Sequence, residues 1–203
     1  IVQRLEACGV PVRTGSRSGS PAFDWNDRDS WAAALCDVKA VYITYVPDLA
    51  VPGAGDAIQA FCDLAVASGV QRLVLLSGRG EHEAQVCEGI VQAAGVPWTI
   101  VRASWFNQNF SEGEFLGMVK HGVIMLPAGN VPEPFVDADD IADVAVAALT
   151  EAGHEYEVYE VTGPRLMTFT EVAETISTAS GRGVDFVPIS LTEFNEFIRE
   201  SGT

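Results

Sequence analysis

Between Arg72 and Arg102 the chain reads Arg72-Leu73-Val74-Leu75-Leu76-Ser77, then a helical stretch from Glu83 to Ala94 stopped by Gly95, then Trp98-Thr99-Ile100-Val101-Arg102. Two near-continuous apolar strands joined by an amphipathic helix predict a parallel pair covered on both faces. The alternation continues upstream. Ala40-Val41-Tyr42-Ile43-Thr44-Tyr45 is rich in β-branched and aromatic residues and reads as a buried strand. The helix after it puts Ile58, Phe61, Cys62 and Ala65 on one face before Gly69 ends it. Right-handed crossovers then leave a doubly wound, Rossmann-like α/β sheet as the economical topology.

Nearer the N-terminus, Ile1, Leu5 and Cys8 share a helical face that stops at Gly9. Val10 to Arg17 reads as a short strand, Phe23-Asp24-Trp25 follows, and a helix is predicted from Asp27 to Leu35. Beyond Trp105 the rhythm changes. The pattern predicts a helix over Phe106 to Val119, a strand over Gly122 to Pro127, a helix carrying Ile141, Val144, Ala145, Ala148 and Leu149, and a strand at Val158 to Val161. Thr168-x-x-Glu171 and Ser190-x-x-Glu193 are capping-box patterns, each opening an amphipathic helix; the second carries Phe194, Phe197 and Ile198. We read residues 1–110 as a nucleotide-fold body lacking its first strand. Residues 111–203 form a smaller α/β lobe interleaved with it, also expected to be incomplete.

Composition narrows the function classes. The 203 residues carry 12 Lys plus Arg against 28 Asp plus Glu, a formal charge of −16, with 48% hydrophobic residues. So negative a chain repels phosphate backbones, and the sequence shows no basic patch to offset this, so nucleic acid is not an expected partner. No apolar run of about 18 residues is present to span a membrane. Cys8, Cys36, Cys62 and Cys87 form no C-x-x-C pair, a pattern of scattered thiols that fits a reducing, cytoplasmic compartment. Small molecules or other proteins are the expected partners, and homo-oligomer formation stays open.

In doubly wound sheets ligands bind beyond the carboxyl ends of the strands. Those ends hold Ser16 and Arg17, Thr44 and Tyr45, Ser77 to Arg79, and Ala103 to Phe106. An acid after the second strand would select NAD through its ribose hydroxyl, whereas an arginine accommodates the 2′-phosphate of NADP. Arg17 stands there with no acid between Arg13 and Ser20, so it is either a solvated surface arginine or the selector of NADP. The phosphate-binding glycine fingerprint is absent. Gly53-Ala54-Gly55 has Ile58 in the third glycine position and reads as a turn that starts a helix. A true glycine loop is expected immediately before Ile1, and the chain reads as a fragment. Ser77 lacks the G-x-S-x-G setting, and His82, His121 and His154 are dispersed, so hydrolase chemistry has little support. Asp137, Asp139 and Asp140 read as helix-start acids rather than metal ligands, and no metal site is expected.

Six segments resemble the NmrA-like, atypical short-chain dehydrogenase family, which includes NAD(P)H-dependent quinone and triphenylmethane reductases. They are Val12 to Arg17, Phe23 to Trp25 with the Ser30 to Leu35 helix, Leu75 to Gly78, Thr99 to Phe110, Pro134 to Ala142 and Val158 to Pro164, and the resemblance covers nearly the whole chain. The resemblance implies that Arg17 meets the adenosine phosphate, with Ser16 also in the cofactor site, and that Asp24 and Trp25 lie beside adenine. It implies that Thr44, Tyr45 and Val46 line the ribose and diphosphate, and that Ser77, Gly78 and Ala103 approach the nicotinamide. Trp105, Phe106 and Asn109 would face an aromatic acceptor, though Trp105 and Phe106 also read as core residues at the lobe junction. The implied cofactor is NADP(H), with NAD(H) second. Glu88 matches a recurrent family acid and puts Ala84 where a relay lysine would fall, so a Tyr-x-x-x-Lys proton relay is excluded. The expected activity is hydride transfer from NAD(P)H to a quinone or similar conjugated acceptor. The alternative is a non-catalytic NAD(P)-binding redox sensor acting through a protein partner.

Overall fold

The computed structural model describes residues 1–201, and the side chains of Phe197 and Ile198 lie outside the described residues. The chain divides into two compact units, residues 1–103 with 139–161, and residues 104–138 with 162 onward.

The first unit is built on a four-stranded parallel sheet of β1 (Ala40–Ile43), β2 (Arg72–Gly78), β3 (Trp98–Ala103) and β5 (Glu157–Val161), in the order β1-β2-β3-β5. Its helices are α1 (Val2–Ala7), α2 (Trp31–Leu35), α3 (Ala54–Ala67), α4 (His82–Gln92) and α6 (Ala138–Thr150), the last entering this unit at Asp139. The period of two along β2 and β3 sorts their side chains between the faces. Leu73, Leu75 and Ile100 pack into one core with Ile58, Phe61, Cys62, Cys87 and Val91 of α3 and α4. Val74 and Val101, on the opposite face, are also fully buried. Burial on both faces is why these strands read as continuous apolar runs. Gly53 starts α3 from the left-handed region at φ +91°, where a side chain would be strained, as its turn reading requires. Arg4 ties α1 to α6 through Asp139 and Asp143 at 3.0 and 2.5 Å.

The expected strand at Val10 to Arg17 does not form. A strand needs a neighbour with which to exchange backbone hydrogen bonds, and among the described residues β1 pairs with β2 alone. The segment is anchored by a side chain instead. The Arg13 guanidinium donates to the Ala34 and Cys36 carbonyl oxygens at 2.8 and 2.7 Å, covering the C-terminal end of α2 where a cation is favoured.

The second unit holds a parallel pair, β4 (Val123–Leu126) with β6 (Asp185–Pro188), and the helices α5 (Leu116–His121), α7 (Phe169–Ser180) and α8 (Leu191–Ser201). Its core gathers Phe110, Phe115, Phe135 and Phe169 with Ile124, Leu126 and Val172. Both capping boxes form: the Glu171 carboxylate accepts from Thr168 N at 2.7 Å, and that of Glu193 from Ser190 N at 2.7 Å. The single helix expected over Phe106 to Val119 is two pieces, a 3₁₀ turn at Asn107–Phe110 and then α5. Gly113 reverses the chain between them so tightly that a Cβ there would lie 2.9 Å from the Asn109 Cα. β6 escaped the sequence pattern because it is four residues long and mostly exposed. No helix among the described residues is long and apolar enough to cross a membrane.

Candidate active site

Parallel register brings the strand ends of the first unit to one edge. Ile43 pairs with Leu75, Gly78 with Ala103, and Ala103 with Val161. Thr44, Tyr45 and Val46 leave β1 at this edge, with Thr44 and Val46 exposed and Tyr45 half-buried. The Trp25 indole N–H donates to the Thr44 carbonyl at 3.1 Å, and its ring lies 5.0 Å from that of Tyr45. This contact joins the Phe23–Trp25 segment to the end of β1. Behind Trp25 stand Phe23, Trp31 and Phe61, whose mostly edge-on ring contacts fix its plane. Asp24 is spent locally: its carboxylate accepts from Asn26 N at 2.9 Å and its carbonyl from the Trp31 indole at 2.7 Å. The Ser16 carbonyl accepts from Gly19 N and Phe23 N, closing a loop that leaves Arg17 exposed. Arg17 has no hydrogen-bond or ion-pair partner among the described residues.

Ser77 and Glu88 form the buried centre of the edge, each only 3% exposed. The Ser77 hydroxyl donates to Glu88 Oε1 at 2.6 Å. Arg102 grips the same carboxylate with two donors, Nε to Oε1 at 2.9 Å and Nη2 to Oε2 at 2.5 Å, and reaches Glu160 Oε1 with Nη1 at 3.0 Å. The network links β2, β3, β5 and α4. Burial pushes the Glu88 carboxyl up, but the hydrogen bonds from Arg102 and Ser77 outweigh it and hold the group below the usual carboxylate range. Hydrogen bonds to Glu88 first, and then to Glu160, raise Arg102 above its ordinary value. The sequence reading took Glu88 only as a family match and missed its partner. The signal was present: Ala84, Cys87, Glu88 and Val91 recur at core spacing, and an acid inside an apolar stripe needs a buried cation.

Two more residues complete the edge. Gly78 and Ala103 lie on neighbouring strands, and Arg79 N donates to the Ala103 carbonyl at 2.9 Å. The chain then turns through Gly80 and brings the Glu81 carboxylate back over the Gly78 backbone, into the space a Cβ at Gly78 would fill. Sequence reasoning passed over Glu81, which no motif marks.

Trp105, Phe106 and Asn109 belong to the second unit. Trp105 is 40% exposed and stacks on Phe115 with centroids 5.6 Å apart and planes at 19°, so one side of its ring is backed by the core. Phe106 is half-buried and bridges to Val136, and the half-buried Asn109 takes Phe115 N on its carbonyl at 2.9 Å. Asp137 accepts from Gln108 Nε2 at 2.9 Å, and Asp139 pairs with Arg4, so these acids have organising partners of their own.

No protein-family model matches the chain. Among curated proteins, festuclavine synthase II of Penicillium roqueforti is 34% identical over 212 residues, covering 93% of this chain and 71% of the relative. The NAD(P)H azoreductase of Xenophilus azovorans is 30% identical over 226 residues, covering 100% and 77%. Among solved structures, the Escherichia coli NADPH-dependent quinone oxidoreductase complexed with NADPH superposes with a TM-score of 0.74 at 24% identity, over 100% of this chain and 70% of that one. The Citrobacter triphenylmethane reductase complexed with NADP(H) gives 0.71 at 23%, over 100% and 71%. Likeness at that identity speaks for the fold.

Proposed function

The chain belongs to the NmrA-like, atypical short-chain dehydrogenase family, and from that premise we propose that it is an NADP(H)-dependent reductase of a quinone or similar conjugated aromatic acceptor. The observation that carries this reading is the row of strand ends Thr44–Val46, Ser77–Gly78 and Ala103, to which we add the exposed Arg17 of the loop that Ser16 closes on Phe23. The residues fit a dinucleotide. Arg17 is an exposed cation with free donors for a 2′-phosphate, and the Trp25 ring, held by its aromatic neighbours, offers a fixed apolar surface for adenine. In this reading Ser16 and Arg17 hold the adenosine phosphate, Asp24 and Trp25 the adenine, Thr44, Tyr45 and Val46 the ribose and diphosphate, and Ser77, Gly78 and Ala103 the nicotinamide.

Bound NADPH supplies the hydride. The protein's part is orientation and exclusion of water. Ser77 cannot release its proton to an acceptor while its hydroxyl is committed to the buried Glu88. The Ser77–Glu88–Arg102 network instead holds the ends of β2, β3 and β5 in register. In the second unit, the exposed Trp105 ring, backed by Phe115, offers a flat apolar face of the kind that stacks on conjugated acceptors, and in this reading Phe106 and Asn109 join it in facing the acceptor.

Loss of the reduced-nicotinamide absorbance with a panel of quinones and dyes tests the reading. Turnover with at least one acceptor is expected, and tight NADPH binding with no turnover on any acceptor overturns it. Arg17→Ala tests the cofactor assignment. NADPH affinity is expected to fall about tenfold or more through loss of a charge-assisted contact, with NADH affinity little changed. Equal losses for both cofactors would remove Arg17 from this role.

A further inference from the structure

We propose that Glu81 is the proton donor of this site, its carboxyl protonating the oxygen of a quinone-like acceptor as hydride arrives from a reduced nicotinamide. The inference rests on the reductase reading above and supplies what that reading lacks. A quinone that gains a hydride must also gain a proton to become a hydroquinone. No Tyr-x-x-x-Lys pair exists to provide it, α4 carries no lysine, and Ser77 is tied to Glu88.

Glu81 is placed for the task. It precedes α4 in extended conformation at φ −99°, and its side chain makes no capping bond to that helix. The carboxylate folds back over Gly78, its Cδ 2.6 Å and Oε1 3.0 Å from where a Cβ would stand, so only glycine at 78 leaves room for it. No hydrogen bond or ion pair reaches this carboxylate among the described residues. Its charged surroundings are acidic, Asp48 from the loop after β1 and Glu83 from α4, while nearby Arg79 is drawn to Glu160 at 3.9 Å. Burial first, then Asp48 and Glu83, push the Glu81 carboxyl up, favouring the protonated form that an acid catalyst needs. In the step, the nicotinamide C–H bond breaks and its hydrogen, carrying the electron pair, bonds to one quinone oxygen, while the ring electrons shift to leave the negative charge on the other oxygen. The Glu81 O–H bond breaks, a new O–H bond forms on the acceptor, and the half-buried glutamate is reprotonated from solvent.

The test compares two acceptors. Menadione needs hydride and a proton, whereas crystal violet, already a cation, becomes its neutral leuco form on hydride alone. Glu81→Gln should lower the ratio of menadione to crystal violet kcat by about 10²-fold, and the fall of menadione kcat with rising pH should vanish. Independently of turnover, carboxyl-carbon NMR titration of the wild type should show one glutamate titrating above the ordinary range, absent in Glu81→Gln. An unchanged ratio, or no such signal, overturns the role of Glu81 while leaving the reductase reading standing. If the wild type takes menadione alone, the pH profile decides between the outcomes in the same way. Turnover of crystal violet alone overturns the proposal, and turnover of neither acceptor removes the reductase reading for these acceptor classes and the proposal with it.

Discussion

Arg102→Met is expected to destabilise the protein by about 3–5 kcal/mol at neutral pH, the usual cost of stranding one member of a buried ion pair. Glu88 is 3% exposed and would keep only the Ser77 hydroxyl as a partner. The variant should also invert one contribution to the pH dependence of stability. In the wild type the folded Glu88 carboxyl titrates below its unfolded value. Its contribution is therefore present above the ordinary glutamate range and is lost as pH falls through the lowered folded value. Without Arg102, burial dominates and the folded carboxyl titrates above the unfolded one. Glu88 then costs stability as pH rises above the ordinary range, so the variant's deficit shrinks on acidification toward that range. Urea unfolding of both proteins at neutral and mildly acidic pH measures this. The companion Arg102→Met, Glu88→Gln removes the stranded charge and should recover much of the loss. A deficit independent of pH, or a double variant no better than the single, would refute the account of the network.

Gly163→Ala is expected to cost about 3 kcal/mol, at the upper end of overpacking effects. A Cβ at 163 would overlap the Phe135 carbonyl oxygen and stand 2.9 Å from its carbon. Neither side can yield without breaking hydrogen bonds. Gly163 N donates to the Pro134 carbonyl at 2.9 Å, Val136 N to Trp105 at 2.9 Å, and Glu133 and Met167 exchange two bonds of 2.9 Å. Gly117→Ala is the control in the same unit. It lies in α5 with nothing within 4 Å of its Cβ position, so alanine should be neutral or stabilise by up to about 1 kcal/mol. Thermal unfolding of the two variants gives the comparison, and a loss under about 1 kcal/mol for Gly163→Ala would contradict the close approach.

Strands β2 and β3 of the first unit were legible because they are buried on both faces, so apolar runs and chain punctuation fall together at Arg72–Gly78 and Trp98–Ala103, while the half-buried β1 at Ala40–Ile43 was legible from its β-branched and aromatic residues. The resemblance of the segments 99–110 and 134–142 likewise anticipated the family. Local pattern failed where pairing decides. Val10 to Arg17 has the composition of a strand and no partner to make it one, while the exposed β6 has little of that composition but finds β4. It failed again at Gly113, where a reversal breaks what apolar spacing reads as one helix.

By itself, the sequence determined the alternating α/β order and the lack of any Tyr-x-x-x-Lys pair, and it raised the expectations that a ligand meets the strand ends and that Arg17 distinguishes cofactors. These are properties of short windows, set by periodicity, turn residues and residue type. Only the tertiary structure decided that Glu88 meets Arg102 and Ser77, that Trp25 is tied to Thr44, and that the Glu81 carboxylate lies over Gly78. Each depends on the direction a side chain takes after strands and helices pack, and burial converts that direction into chemistry. The same carboxyl type is held ionised at Glu88 by a buried arginine and pushed toward protonation at Glu81 by burial and neighbouring acids.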